Sequence, residues 1–174
     1  MRTTDQQHRG RAAGAKTSAN RPDVRIAARQ LEAFDLGWHL PHLLRRAHFE
    51  AEARFAEVYG SLATSRQLAL LVAVAQSSRA SQTEIARQIG LDANTCSDLV
   101  RRTVERGWLR RTRSPLDGRV YQLELTAPGR RLVEHTAVPL ASPYTDRVAE
   151  RLDAKKRQRL AELLRELLGL HGLA

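Results

Sequence analysis

Residues 81–126 read SQTEIARQIGLDANTCSDLVRRTVERGWLRRTRSPLDGRVYQLELT, and three kinds of local chemistry follow one another along them. Ser81-Gln-Thr-Glu84 has the form of a capping box, in which hydroxyl and carboxylate each satisfy a free backbone N–H, so a short helix opens there. Ile85, Ala86 and Ile89 form its inner face, Gly90 ends it and Leu91 plugs the turn. Asp92 caps a second helix that runs to about Arg106, with Gly107 as its breaker. Beyond Gly107 the apolar period drops from 3.6 to 2. Trp108–Arg113 and Arg119–Leu125 therefore read as two strands, joined by the turn chemistry of Ser114-Pro-Leu-Asp-Gly118.

A short helix, a tight glycine turn, a second helix and a two-stranded hairpin make a unit that reads duplex DNA. The second helix of such a unit lies in the major groove with its N-terminal residues on base edges. Cys96, Leu99, Val100, Thr103 and Val104 follow the i, i+3, i+4, i+7, i+8 pattern and pack inward. Asn94, Thr95, Ser97, Asp98, Arg101 and Arg102 are left facing outward or sideways. Asn94 suits adenine, Arg101 suits guanine or a phosphate, and Thr95 and Ser97 are short donors for a phosphate or base edge. The alternative is an ordinary solvated face of small polar residues. In the hairpin, Arg113 adds a further cation, and Asp117 and Arg119 stand two apart. On one side of a strand such an aspartate can hold the arginine extended toward a narrow minor groove; the alternative is a surface ion pair.

Upstream, Thr64-Ser-Arg-Gln67 is another capping box, and Leu68, Leu71, Val72 and Ala75 of its helix face a core. The segment 24–58 is helical, with Leu36, Leu40, Leu43, Leu44 and Ala47 on one face, a break or kink expected at Pro41, and a stop at Gly60. Downstream, Thr126 caps a helix starting at Ala127-Pro128, which Pro139 and Pro143 should bend or break. A last helix over about 153–168 carries Leu160, Leu163, Leu164, Leu167 and Leu168, an apolar stripe too wide for one small domain to cover. Residues 1–22 lack apolar periodicity and read as a disordered basic arm, either a solubilising tail or a grip on the DNA backbone.

The formal charge of +10 is not spread evenly. Residues 1–30 hold seven Lys/Arg against two Asp/Glu, and residues 79–131 hold eleven Arg against six acids; the remainder balances. Concentration in a tail and one central block is the footprint of a nucleic-acid-binding module, although acidic membranes and acidic partners attract the same patch. No apolar run approaches bilayer length, no signal-type segment opens the chain, and the single cysteine agrees with a reducing compartment, so a cytoplasmic, membrane-free protein is expected.

These motifs resemble the multiple-antibiotic-resistance regulator (MarR) family of winged-helix repressors. The resemblance is carried by Leu62-Ala-Thr64, by Gln82-Thr-Glu84-Ile-Ala86, and by Val104-Glu-Arg-Gly107-Trp-Leu109. Its most specific part is Asp117-Gly-Arg119 followed by Leu125-Thr126 and Gly129-Arg-Arg-Leu132, and it extends over about 35–168. Two positions depart: Ser65 stands where the family often has Pro, and Asp98 where many members have Arg. An acid at 98 either accepts from a cytosine amino group or restrains Arg101 or Arg102.

The resemblance implies a mainly α fold with a small β-hairpin wing, and an intertwined homodimer made by the first helix and the last two. The leucine stripe agrees, and Ile26, Leu31 and Phe34 are expected to join it. The expected layout is a basic arm (1–22), N-terminal dimerisation helices (23–61), a winged helix-turn-helix (62–126) and C-terminal dimerisation helices (127–174). Two reading helices about a two-fold axis predict a palindromic operator with half-sites about one turn apart. The resemblance also implies a small-molecule effector that releases DNA. Trp38, His39, His42, Arg45, Arg46, Tyr59 and Arg66 are the candidate residues, since rings and cations suit an aromatic carboxylate or an acyl-CoA thioester; the alternative is ordinary interface packing. His39 and His42 also permit a metal, but a pair falls short of the usual four ligands, and no cofactor is expected. Cys96 is a redox switch in one reading and a buried small hydrophobe in the other.

No Gly-rich phosphate loop, HExxH or nucleophile elbow is present, so an enzyme is not expected. The rival is a non-sequence-specific nucleic-acid binder, nucleoid-associated or RNA-binding. It explains the charge but not capping boxes, glycine turn and hairpin arriving in that order.

Overall fold

The computed structural model describes residues 24–77, 81–115 and 117–170, with backbone only over 24–28. The proposed arm and the side chain of Ile26 lie outside the described residues. The chain divides into two compact units, one ending at His42 and the other running from Leu43.

In the first unit, α1 (Val24–Ala33) is followed by a 3₁₀ turn over Leu36–Trp38, and α2 (Leu40–Tyr59) begins just before the boundary. Asp35 Oδ1 accepts from the Gly37 N–H at 2.7 Å and fixes the turn. Phe34 meets His39 edge-on at 5.2 Å between ring centres. The helix break thus falls at 34–39, ahead of Pro41 and not at it. Pro41 occupies the first turn of α2, where backbone N–H groups have no helical acceptor and the missing donor costs nothing.

The second unit is built around α3 (Ser65–Gln76). It is followed by α4 (Gln82–Gln88), α5 (Ala93–Glu105), β1 (Leu109–Arg113), β2 (Tyr121–Leu125), α6 (Ala127–Leu132), α7 (Ala141–Val148) and α8 (Ala154–Leu167). Leu70, Leu71, Ile85, Cys96, Val100 and Thr103 are sealed from solvent at its centre, each full-size aliphatic contributing about 1.5–3 kcal/mol by burial. Helix α3 is covered on more than one side, so Leu70, Ala73 and Val74 are buried with Leu68 and Leu71, whereas Ala75 is exposed, contrary to the periodicity.

Helix ends follow the local chemistry. Both capping boxes close: the Gln67 N–H donates to Thr64 Oγ1 at 3.2 Å and the Thr64 N–H to Gln67 Oε1 at 3.1 Å, while the Glu84 N–H donates to Ser81 Oγ at 3.2 Å and the Ser81 N–H to Glu84 Oε2 at 3.0 Å. Gly90, at φ 70°, makes the turn between α4 and α5 in the left-handed region that favours glycine. The hairpin is antiparallel, with Leu109 opposite Leu125, Arg111 opposite Leu123 and Arg113 opposite Tyr121. Thr126 ties the hairpin to α6: its N–H donates to the Trp108 carbonyl at 3.1 Å and its hydroxyl to the Gly107 carbonyl at 2.6 Å. After α6 a π turn (Val133–Ala137) leads to the bend at Pro139. Pro143 does not break α7, because it sits in that helix's first turn.

Candidate nucleic-acid interface

Helix α5 is presented by a buried floor. Cys96, Val100 and Thr103 are sealed, Leu99 and Val104 are half-buried, and Asn94, Ser97, Asp98, Arg101 and Arg102 are exposed, as their spacing predicts. Thr95 is half-buried. Asp92 Oδ1 accepts from the N–H groups of Asn94 and Thr95, both at 3.0 Å. Its Oδ2 accepts from the Thr95 hydroxyl at 2.6 Å. The hydroxyl bond first, and the backbone bonds after it, hold the Asp92 carboxyl below the ordinary carboxylate range. An ionised acid at a helix N-terminus also complements the helix dipole.

The polar face has a hydrogen-bond order that spacing alone does not reveal. Gln82 Nε2 donates to Ser97 Oγ at 2.8 Å and so links α4 to the reading helix. Arg101 is held between two acids of its own helix, Glu105 at 2.8 Å and Asp98 at 3.6 Å. The bond to Glu105 above all raises its already high pKa. Asp98 therefore restrains Arg101, one of the two roles open to it in the sequence.

In the wing, Asp117 and Arg119 lie in the turn between the strands and not on a strand face. Asp117 Oδ1 accepts from the backbone N–H of Arg119 at 2.9 Å, and its carbonyl accepts from Val120 at 2.9 Å. The aspartate thus shapes the loop that carries Arg119, in place of gripping the guanidinium; strand alternation does not apply inside a turn. Arg119 and Arg113 are exposed. Arg111 and Arg113 stack over Tyr121 at 3.5 and 5.7 Å, and Arg110 pairs with Glu124 at 2.6 Å on the opposite face. The interface roles of Gln82, Glu105, Arg111 and Tyr121 were not read from the sequence. The Arg101–Glu105 spacing was available there, but the Tyr121 contacts required the strand register.

The proposed effector residues are divided between the two units, and Arg46, Tyr59 and Arg66 of the second line three different cavities. Trp38, His39 and His42 belong to the first unit. In the second, Arg66 lines a cavity of about 500 Å³ between α2, α3 and α5, with His48, Glu52, Thr95, Asp98 and Arg102. Tyr59 lines a more apolar cavity of about 440 Å³ with Phe55, Leu68, Val72 and Tyr144. Arg46 borders a third, with Arg147 and Glu150, and Arg45 lines none of these three. Among the described residues no group of three or more His, Cys, Asp or Glu is placed to hold a metal ion, and no helix is long and apolar enough to cross a membrane. Cys96 is fully buried; burial first, and Asp92 second, push its thiol pKa up.

Two capped helices joined by a glycine turn, with a basic hairpin behind the second, define a winged helix-turn-helix. Residues 63–120 match the family model described as MarR family. The fold matches solved regulators at 28% identity. PcaV from Streptomyces coelicolor, in complex with its natural ligand, has a TM-score of 0.72 over 77% of this chain and 94% of that one. BpsR from Bordetella bronchiseptica, whose DNA binding is regulated by 6-hydroxynicotinic acid, has 0.72 over 77% and 96%. The transcriptional repressor CouR, bound to a 23-mer DNA duplex, has 0.69 over 76% and 94%. No curated protein matches significantly in sequence. Residues 63–120 thus form a winged helix-turn-helix of MarR type, and the solved structures that the fold matches are transcriptional regulators.

Proposed function

We propose that this protein is a cytoplasmic, sequence-specific repressor that binds a palindromic operator as a homodimer and is released by a small anionic effector. One observation carries the DNA-binding part. Helix α5 rests on a sealed apolar floor while Asn94, Arg101 and Arg102 stand exposed on its outer side, with the basic wing next to it in the chain. The complex of CouR with duplex DNA supports the same assignment. Dimerisation is supported by α8 and its C-cap, where Leu160, Leu163, Leu167 and Leu168 are exposed in the single chain.

The proposed effector is an aromatic carboxylate or its CoA thioester, held by Arg66 in the cavity between α2, α3 and α5. Thr95, Asp98 and Arg102 line that cavity and also belong to the DNA-reading helix, so an occupant competes directly with DNA for them. BpsR, regulated by an aromatic acid, supports this class.

Duplexes selected from a random-sequence pool test the first claim. Palindromic sites are expected, and Arg101→Ala and Arg119→Ala proteins that remain folded should bind them roughly ten- to hundredfold more weakly. Equal affinity for scrambled duplex would instead indicate a non-sequence-specific binder. Calorimetric titration with aromatic acids and their CoA esters tests the second. Heat from at least one compound, lost in Arg66→Ala, is expected; no heat from any removes the effector assignment.

A further inference from the structure

The arginines of the reading helix and wing differ in what holds them. Arg101 sits between Glu105 and Asp98, and Arg110 is tied to Glu124. Each of those restraints cancels the charge it orders. Arg111 and Arg113 are held differently. The Arg111 guanidinium stands 3.5 Å over the centre of the Tyr121 ring and that of Arg113 stands 5.7 Å from it. Among the described residues neither arginine forms an ion pair. A ring face attracts a guanidinium without neutralising it, so the cation is ordered and still available to an anion.

Strand register makes the arrangement. Arg113 is paired with Tyr121 and Arg111 with Leu123, two positions further in, so all four share one face of the hairpin. Leu109 and Leu123 bury the inner end of that face and Tyr121 is half-buried at its outer end. The ring is therefore a fixed platform, and the two arginines over it are exposed. Two forked donors of one sign, ordered in advance and unpaid by any carboxylate, match the oxygens of a polynucleotide backbone.

We propose that Tyr121 is a positioning residue that presents Arg111 and Arg113 as a paired phosphate clamp, next to the turn that carries Arg119. The clamp rests on the DNA-binding assignment above. It contributes affinity independent of base sequence, and ordering by the ring lowers the entropy lost on contact.

The test uses the full chain and a duplex selected by the parent protein from a random pool. Tyr121→Phe keeps the ring and should bind within about twofold of the parent. Tyr121→Leu keeps apolar bulk but removes the π face; binding should weaken roughly three- to tenfold with an unchanged melting temperature. The salt dependence of log K should also flatten by about one phosphate contact. In an Arg111→Gln, Arg113→Gln background, Tyr121→Leu should have no further effect on binding, which a purely structural role would not produce. Parent-like affinity and salt slope in Tyr121→Leu overturn the clamp. So does a loss in Tyr121→Phe equal to that in Tyr121→Leu, or a loss that persists without the two arginines. If the parent itself selects no duplex, the regulator assignment falls first and the clamp with it.

Discussion

Gly129 shows how closely this fold is drawn together. A Cβ built there would stand 2.0 Å from the Trp108 carbonyl oxygen and 2.9 Å from its carbon. Both are backbone atoms at the start of the wing, so nothing flexible can give way. The same carbonyl accepts from Thr126, which caps α6, and helix and hairpin are thereby fixed face to face. Gly129→Ala must push α6 off the hairpin. We expect a loss of about 2–4 kcal/mol in urea denaturation, the range of overpacking combined with a broken cap. A variant as stable as the parent would show that α6 moves freely over Trp108. Gly129 belongs to the motif that carries the family resemblance, but its physical reason is not legible in sequence, because the close approach to Trp108 belongs to the tertiary fold. Cys96 is the opposite case: its spacing put it inside, and there it is, sealed and with its thiol pKa raised, a poor candidate for oxidation.

At the scale of elements, the helix-turn-helix is held by its caps, and two of these are carboxylates. The Ser81 hydroxyl bond first holds the Glu84 carboxyl below its ordinary pKa, as the Thr95 hydroxyl does for Asp92. A native pKa lower than the unfolded one means stability that is fully present above the ordinary carboxylate range, about pH 4. It is lost as pH falls through the depressed native values. Acid should therefore loosen α4 and α5. In Asp92→Asn an uncharged acceptor still caps the helix, so the decline of the urea midpoint between about pH 6 and about pH 3 should be shallower than in the parent. Amide exchange at Asn94 and Thr95 should report the same difference; identical pH curves would deny Asp92 this role. These helix boundaries were legible because a cap is chemistry among near neighbours. The break near Pro41 was misplaced because proline disfavours a helix interior but suits a first turn, and only Asp35 and the turn it caps show which applies. The Arg111–Tyr121 contact was illegible for a related reason, since one residue of strand register would put the ring on the other face.

For the whole molecule, the informative feature is apolar surface that the single chain does not cover. Leu160, Leu163 and Leu167 are 45%, 45% and 55% exposed along one stripe of α8. On α2, Leu43 and Leu44 are exposed as well. The winged region has its own sealed core, so this surface is not needed to fold it. Under the homodimer proposed above, a second copy of the chain would cover this surface and set two reading helices at a fixed spacing, and operator symmetry would follow from protein symmetry. Leu163→Glu places a charge in the middle of the stripe, where pairing would bury it. The variant should be monomeric by light scattering at concentrations where the parent is dimeric, while amide protection of Leu70, Leu71 and Val100 persists. Its affinity for the parent's selected duplex should fall at least about a hundredfold, since the two half-sites are no longer bound as one event. A parent that is itself monomeric, or a Leu163→Glu monomer that holds the full site as tightly as the parent, would remove the dimer from the mechanism and leave one winged helix to account for all of the binding.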